Sequence, residues 1–288
     1  MKFGTCNEMF EGWDLARQVE FIAQTGYQGV ELAPFTVAKN VTEVPAGRRR
    51  EIAHLARTNG LEMIGLHWLL VGPEGLYITD PDPAVRRRTV EYLQELMRFC
   101  ADVEGKLLVF GSPKQRNLQE GVGREQARQW LIEGFAQALP VAREAGVTLC
   151  LEPLPPPECN FIQTTAEAID VIDAVDDPHL RLILDVKSLA GEQQLTGRAI
   201  PDTIRAVAPY VAHVQANDAN LGYPGSGEID FVPIFRALHD ADYDGFVSVE
   251  VFDFTPGPET IARKSIEYMR AAEAAALIQP PMNADERR

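Results

Sequence analysis

The sequence of 288 residues predicts an α/β protein and, within that class, a single (β/α)8 TIM barrel. Three observations lead to this fold class. Short apolar segments alternate with longer amphipathic segments from one end of the chain to the other. There are eight such strand–helix units, and about 250 residues is a usual length for an eight-unit barrel. The turn after the first predicted strand lacks the GxGxxG pattern that would favour an open, doubly wound sheet.

Each predicted strand is short, mostly apolar and bounded by turn residues. The predicted strands are Phe3–Cys6, Gly29–Leu32, Met63–Leu66, Leu107–Phe110, Thr148–Glu152, Leu180–Asp185, Val211–Val214 and Phe246–Glu250. The clearest helical patterns between and after them are Asp14–Gln24, Ala84–Val103, Arg124–Ala145 and Pro258–Ala276. Pro83 is expected in the first turn of its helix, Gly146 just past the end of another, and Asp230 as an N-cap.

No composition shift or Gly/Ser-rich linker divides the chain, so we expect one barrel domain over residues 1–278. The last ten residues, 279–288 (QPPMNADERR), are polar and contain two prolines. This composition predicts a loose C-terminal tail.

Charge, hydropathy and cysteine pattern disfavour several classes of partner and location. Lys and Arg number 27 and Asp and Glu number 42, which gives a net charge of 27 − 42 = −15. A surface this acidic repels phosphate backbones, so nonspecific nucleic-acid binding is not expected. The sequence contains no apolar run long enough to cross a membrane and no signal-peptide pattern at its beginning. The four cysteines form no CxxC pair, which predicts reduced thiols and a cytoplasmic location.

Four residues with oxygen-bearing side chains stand at the ends of the last four predicted strands: Glu152, Asp185, Gln215 and Glu250. They follow one another at intervals of 33, 30 and 35 residues, about one βα unit each. Chemistry in this fold is found at the carboxyl ends of the strands, so the four side chains are expected at similar height in the barrel mouth. Each carboxylate taken singly is also consistent with a cap for the helix that follows it.

Strand alternation supports inward orientation of the four side chains. On the fifth strand Glu152 opposes an apolar face, and on the seventh strand Gln215 and His213 oppose Ala212 and Val214. Three carboxylates converging in one place repel each other unless some are protonated or a cation neutralises them. Carboxylate and amide oxygens suit Mg²⁺ or Mn²⁺ best, with Co²⁺ or Zn²⁺ as alternatives.

At these residues the sequence resembles the xylose isomerase-like barrel superfamily, the sugar phosphate isomerase/epimerase or AP endonuclease family 2 type. The most specific matches are GYQGVELAPF (26–35), LEPLPPPECNF (151–161), LDVKSL (184–189), HVQAND with GYPGSGEIDF (213–231) and YDGFVSVEVF (243–252). The resemblance implies that Glu152, Asp185, Gln215 and Glu250 bind one divalent metal ion. Among relatives, the glutamine variant is similar to hydroxypyruvate isomerase, whereas ketose 3-epimerases have histidine at that position.

The resemblance also implies a mechanism. Glu152 and Glu250 would act as acid and base on opposite faces of a sugar, through a metal-stabilised enediolate. Glu158 matches a family glutamate that contacts substrate oxygens. The sequence departs from the ketose 3-epimerases at Ser188, where they have histidine, and at Leu221, where they have a substrate-binding arginine. These departures argue against an authentic ketose 3-epimerase.

Three further residues are candidates on the inner face of the barrel. His67 follows the third strand and is expected to contact substrate or carry a proton, with a buried histidine paired to a carboxylate as the alternative. His213 lies one inward step below Gln215, either as a partner that orients a ligand or as a polar core residue. Glu31 ends the second strand and is expected to contact the substrate or to hydrogen-bond a lysine, Lys114 or Lys187.

Lysines and an asparagine complete the set of candidate substrate-binding residues. Lys114 lies in the loop after the fourth strand, beside Arg116, where a positive charge can bind substrate oxygens. A solvated surface loop is the alternative for Lys114. Lys187 and Asn217 offer polar groups near the positions where the family's substrate-binding residues stand.

The sequence therefore predicts a divalent-metal-dependent isomerase or epimerase of a small sugar, keto-sugar or polyol. A lyase or dehydratase of the inosose or keto-glycoside type, using the same metal site, stays open. A non-catalytic sugar-binding barrel is disfavoured by the intact set of four ligands. A phosphodiesterase of the endonuclease IV type is disfavoured by the acidic net charge and by the small number of histidines, five in the whole sequence. The expected partner is a carbohydrate, and the resemblance implies a homodimer or homotetramer.

Overall fold

A computed structural model describes residues 1–278 of the chain. Eight parallel strands close into a barrel in sequence order, and the first strand pairs with the last. Helices follow the strands and pack around the barrel. The fold is therefore the (β/α)8 TIM barrel that the alternation of segments predicted. Residues 279–288, for which we predicted a loose tail, lie outside the described part of the chain.

The strands lie within two residues of the predicted bounds. They are β1 (Lys2–Cys6), β2 (Gly29–Leu32), β3 (Glu62–Leu66), β4 (Leu107–Phe110), β5 (Thr148–Leu151), β6 (Leu180–Asp185), β7 (Val211–Ala216) and β8 (Phe246–Val249). The largest difference is in β7, which continues past Val214 because the polar Gln215 is fully buried inside the barrel. Glu152 and Glu250 each stand one residue beyond their strands.

The helices begin and end largely where the capping residues predicted. They are α1 (Leu15–Thr25), α2 (Ala46–Thr58), α3 (Pro83–Asp102), α4 (Arg124–Ala145), α5 (Thr165–Val175), α6 (Val186–Thr196), α7 (Ile200–Val207), α8 (Phe231–Asp240) and α9 (Pro258–Ile278). Pro83 opens α3, Gly146 ends α4 in the left-handed conformation, and Asp230 caps α8. Two helices, α6 and α7, follow β6 where one was expected.

The two ends of the barrel differ in the length of their connections. Only Gly146 and Val147 separate α4 from β5, whereas residues 67–82 lie between β3 and α3, and residues 217–230 between β7 and α8. The long connections all follow the carboxyl ends of strands. They form the barrel mouth, which is where this fold places its functional residues.

The apolar core has an outer layer between strands and helices and a small cluster inside the barrel. The inner cluster consists of Val109, Cys150 and Ile183, with Ala212 packed against it. We expected Ala212 to face outward, and this was wrong. The pairing of β6 with β7 shifts by one residue between Leu182 and Ile183, so the simple alternation of β7 fails at this point.

Two further expectations concern the whole chain. The four cysteines are free thiols, and all four are buried. Within residues 1–278, no helix combines the length and the hydropathy that a membrane span requires.

Candidate active site

Three carboxylates from three different strand ends meet in the barrel mouth. Glu152, Asp185 and Glu250 each offer a carboxylate oxygen, and these oxygens lie within 4.8 Å of one another. Their residues are 7%, 1% and 6% exposed. Because β5 and β8 are not neighbours in the barrel, Glu152 and Glu250 approach the centre from different sides. The structure thus brings together the three acids that strand spacing placed at equal height.

Asp185 is held by two hydrogen bonds. Its Oδ1 accepts from the backbone N–H of Ser188 at 2.8 Å and caps α6. Its Oδ2 accepts from Nδ2 of Asn217 at 2.5 Å, and Oδ1 of Asn217 in turn accepts from the backbone N–H of Lys187 at 2.8 Å. Asn217 is fully buried and fixes the Asp185 carboxylate, while its contact with substrate stays a prediction.

Gln215 is oriented by a buried carboxylate. Its Nε2 donates to Oε1 of Glu31 at 3.1 Å, and Oε2 of Glu31 pairs with Nε2 of His213 at 2.9 Å. All three side chains are inaccessible to solvent. The expected hydrogen bond from Glu31 to Lys114 or Lys187 is therefore wrong. Glu31 holds Gln215, and His213 holds Glu31, so His213 acts through Glu31 in the way that the orienting alternative described.

The amide oxygen of Gln215 has no partner. This Oε1 is buried and lacks any hydrogen bond within residues 1–278. Gln215 stands beside Asp185 in the strand register. Because Glu31 takes the Nε2 end of the amide, the oxygen end is the one left to face an electropositive group.

Burial and mutual repulsion set the protonation of the acids. Burial raises the pKa of Glu152 to about 8, and the negative charge of Asp185 adds to the rise. Burial also raises the pKa of Glu250, with further contributions from Glu152 and Glu8. Burial alone would raise the pKa of Glu31 as well, but the imidazole of His213 lowers it to about 2. Glu31 is thus charged, while the two strand-end glutamates favour a proton or a cation.

The donor set fits a divalent cation. Three carboxylates and an unpaired amide oxygen are hard oxygen ligands, which suit Mg²⁺ or Mn²⁺. A bound cation would relieve the repulsion among the acids and satisfy Oε1 of Gln215. The residues that could hold it are Glu152, Asp185, Gln215 and Glu250.

His67 pairs with a glutamate that strand spacing did not single out. Nε2 of His67 lies 2.6 Å from Oε2 of Glu8, and Nδ1 lies 3.9 Å from Oε1 of Glu31. Burial alone would lower the pKa of His67, but the charge of Glu8 raises it. The contact that the structure shows is the carboxylate pair, the alternative considered for this residue. Glu8 lies in an irregular turn after β1, where sequence periodicity gives no signal.

Glu158 and Lys187 form a pair beside the three acids. The Lys187 ammonium donates to Glu158 and lies 4.0 Å from Oδ1 of Asp185 and 4.8 Å from the centre of the Phe252 ring. Burial would lower the pKa of Lys187, but the charges of Asp185 and Glu158 raise it. Lys187 is therefore a fixed positive charge at the edge of the site.

The loop after β4 places its two basic residues in different surroundings. Lys114, expected to bind substrate, is exposed, which matches the alternative of a solvated loop. Arg116 is fully buried and donates to the backbone oxygens of Glu152 at 2.6 Å and Phe110 at 3.3 Å. Gly111 is also required here, because a Cβ on it would lie 2.2 Å from Oε2 of Glu152. An irregular loop offers no periodicity from which either role could be found.

Comparison with known proteins identifies the family of the chain. The profile of the xylose isomerase-like TIM barrel family matches residues 19–272. The chain belongs to this family.

Among curated proteins, D-psicose 3-epimerase of Ruminiclostridium cellulolyticum is 26% identical over 83% of this chain and 78% of its own length. The 3-dehydro-D-guloside 4-epimerase of Escherichia coli is 24% identical over 94% of this chain and 99% of its own length. Among solved structures, D-psicose 3-epimerase with D-tagatose from Clostridium cellulolyticum superposes with a TM-score of 0.83, covering 95% of this chain and 99% of that one at 21% identity.

Proposed function

We propose that this protein is a divalent-metal-dependent epimerase or isomerase of a sugar, keto-sugar or related polyol. The observation that carries the proposal is the meeting of Glu152, Asp185 and Glu250 within 4.8 Å in the mouth of the barrel. The named relatives are sugar epimerases, which supports the same class of substrate and reaction.

The proposed cation is held by the three acids and by Oε1 of Gln215. When bound, a divalent cation polarises a substrate carbonyl and makes the neighbouring C–H more acidic. Mg²⁺ and Mn²⁺ fit the oxygen ligands best, and Co²⁺ and Zn²⁺ are alternatives. Gln215 is pre-oriented for this role because Glu31 occupies its amide nitrogen.

Glu152 and Glu250 carry the protons in the proposed reaction. One carboxylate removes the proton from the carbon next to the carbonyl, and the other returns a proton to the opposite face of the same carbon. Their approach from non-neighbouring strands supports this division of work. Burial raises the pKa of both groups, to about 8 for Glu152, which favours the protonated form that an acid in this reaction needs.

Charge and cysteine state support two further parts of the proposal. The net charge of −15 disfavours a nucleic-acid substrate, so the proposed partner is a small carbohydrate. Four buried free thiols within residues 1–278 support a reducing, cytoplasmic location.

The reaction is tested by incubating the protein with MnCl2 and neutral ketoses or keto-glycosides in D2O. Proton NMR is expected to show deuterium entering the carbon next to the carbonyl, together with an epimer or isomer of unchanged heavy-atom composition. A chelated sample is the control and is expected to show neither. Loss of one water from the substrate would favour the dehydratase alternative, and absence of any exchange with Mg²⁺, Mn²⁺, Co²⁺ or Zn²⁺ would contradict the proposal.

A further inference from the structure

An aromatic strip covers one side of the cavity that contains the catalytic glutamates. Trp68, in the connection after β3, and Phe252, just past β8, contact each other edge to face with ring centres 6.2 Å apart. Both rings line the same small cavity as Glu152, Glu158 and Glu250. The cavity thus has an apolar wall facing a polar one.

The backbone of Trp68 is held in an unfavourable conformation. Its φ is +53°, in the left-handed region that bulky side chains rarely adopt. Residues in such strained conformations are concentrated at ligand sites, where the position of the side chain matters. Asparagine or glycine would relieve the strain, but neither supplies a large ring against Phe252.

The indole nitrogen of Trp68 has no hydrogen-bond partner. Its Nε1 is buried, and none of the residues in the described part of the chain accepts its proton. A buried Trp usually finds an acceptor, because the unsatisfied N–H is costly. The unused donor therefore indicates that an acceptor arrives with a ligand.

The charges around the cavity restrict that ligand. Three lining residues are glutamates, and none of the residues described as lining the cavity is lysine or arginine. The two buried cations beside it are already engaged, because Lys187 donates to Glu158 and Arg116 donates to the backbone oxygen of Glu152. A phosphate or carboxylate on the substrate would meet repulsion from the three glutamates, with no lysine or arginine among the described lining residues to offset it.

We infer that Trp68 is the substrate-binding wall of the site and selects uncharged sugars. The C–H face of the sugar packs on the ring, and Nε1 donates a hydrogen bond to a sugar hydroxyl. This rests on the proposed function and assigns its substrate class: neutral ketoses and keto-glycosides, without phosphate or carboxylate groups. The backbone carbonyl of Leu221, a residue that is 48% exposed, accepts from the backbone N–H of Phe252 at 2.9 Å, so the connection after β7 lies beside the strip.

Tryptophan fluorescence tests this contact without relying on turnover. The chain has three tryptophans, and Trp13 and Trp130 pack against Arg17 and Arg86 away from the cavity. In the double variant Trp13→Phe/Trp130→Phe, all tryptophan emission comes from Trp68. We expect saturable changes in this emission when D-fructose or D-tagatose is added in MgCl2, and none with their 6-phosphates at the same concentrations.

Any of three results would overturn the inference. The first is no change in emission with either neutral sugar up to its solubility limit, and the second is an equal or stronger change with the phosphates. The third is the same change in emission both without Mg²⁺ and in the variant Trp68→Phe/Trp130→Phe, which retains only Trp13. The proposed function is judged separately, by exchange at carbon in D2O. If deuterium exchange at carbon occurs but the emission of Trp68 does not change, only this inference is contradicted.

The variant Trp68→Phe keeps a ring and removes only the N–H donor. Losing one neutral hydrogen bond is expected to raise KM for a neutral sugar by about threefold to tenfold, with kcat changed by less than about twofold. Trp130→Phe is the control and is expected to match the parent. If Trp68→Phe fails to fold, Phe252→Leu tests the same wall and is expected to raise KM in the same way. Unchanged KM in the folded variants would contradict the role of the strip.

Discussion

At the scale of single residues, the site depends on carboxylates kept buried against their own repulsion. Glu152 and Glu250 have raised pKa values because burial penalises the charged form and because other acids stand nearby. The burial that makes their charges costly also favours a proton or a cation on them, which is the basis of the proposed roles.

Replacing either glutamate should abolish turnover while preserving the fold. We expect Glu152→Gln and Glu250→Gln to lower kcat by about a hundredfold to ten-thousandfold, because the amide cannot carry the proton. The melting temperature of the cation-free variants should equal or exceed that of the wild type, since a repelling group is removed. NMR exchange and thermal melting measure the two effects.

Glu192→Gln is the matched control for these variants. Glu192 is also a buried glutamate, but its oxygens accept from Thr165, at the beginning of α5. We expect this variant to lose stability and to keep its turnover per folded molecule. Near-normal turnover in Glu152→Gln or Glu250→Gln would refute the acid–base assignment.

The orientation of Gln215 gives a second prediction at this scale. In Glu31→Gln, the charged acceptor of Gln215 Nε2 and His213 Nε2 is lost, so the Gln215 amide is free to turn its nitrogen toward the cation. We expect the affinity for Mg²⁺ or Mn²⁺ to fall by about tenfold to a hundredfold. Isothermal titration calorimetry with the metal alone measures this, again with Glu192→Gln as control. Unchanged affinity would show that Glu31 does not position the ligand.

At the scale of elements, each strand delivers a side chain at its carboxyl end, and the helix or loop that follows fixes it. Asp185 ends β6 and at the same time caps α6, so the two interpretations offered by the sequence, ligand and cap, are both satisfied by one carboxylate. Arg116 performs the corresponding role after β4 by holding the backbone oxygen of Glu152.

The junction of β3 and β4 is expected to be the most sensitive part of the barrel. Their register contains only two pairs, Gly65 with Leu107 and Leu66 with Leu108. A Cβ on Gly65 would lie 1.9 Å from the backbone oxygen of Leu107. Because backbone cannot move aside cheaply, we expect Gly65→Ala to reduce the free energy of unfolding by at least about 1–3 kcal/mol.

Urea unfolding measures the effect at this junction, and Gly47→Ala is its control. Gly47 lies in α2 with nothing within 4 Å of an added Cβ. Alanine favours helix over glycine by about 0.5–1 kcal/mol, so this variant should be neutral or more stable. If Gly65→Ala unfolds at the same urea concentration as wild type, the close approach of the two strands does not limit stability.

At the scale of the whole molecule, the barrel gathers negative charge at one point of an acidic protein. The pKa of Glu152, about 8 without a cation, links metal binding to pH. Its usual value is 4.5, so between about pH 4.5 and pH 8 the folded, cation-free protein holds a proton that the unfolded chain releases. The stability contributed by this proton is fully present below about pH 4.5 and is lost as the pH rises through about 8.

A cation must displace that proton, so its affinity should rise with pH. We expect the Mg²⁺-induced increase in melting temperature to grow from about pH 6 to pH 8, with the dissociation constant falling by up to about tenfold per pH unit, and to level off above that range. Differential scanning fluorimetry with and without MgCl2 measures this. Glu152→Gln should lack the part of the slope due to Glu152, and a pH-independent shift in the wild type would contradict the raised pKa.

The amount that could be predicted from sequence differs between elements and site. Strand positions were predicted to within two residues because alternating apolar segments and turn residues are local signals. The four strand-end residues were found because the βα repeat sets their spacing. The hydrogen bond expected between Glu31 and a lysine was misjudged, because a partner from another strand leaves no mark in the local sequence. The exposure of Lys114 and the contact of Asn217 with Asp185 could not be predicted either, because a loop has no period.

By itself, the sequence determined the barrel and which acids face its mouth, since both follow from the period of the strands. Only the tertiary structure decided that Glu8 pairs with His67, that Glu31 orients Gln215, that Arg116 supports Glu152, and that Ala212 turns inward. Each of these depends on contacts between residues far apart in the chain or on a one-residue shift in strand register. Such contacts are fixed when the barrel closes, because closure alone brings the ends of non-neighbouring strands within hydrogen-bonding distance.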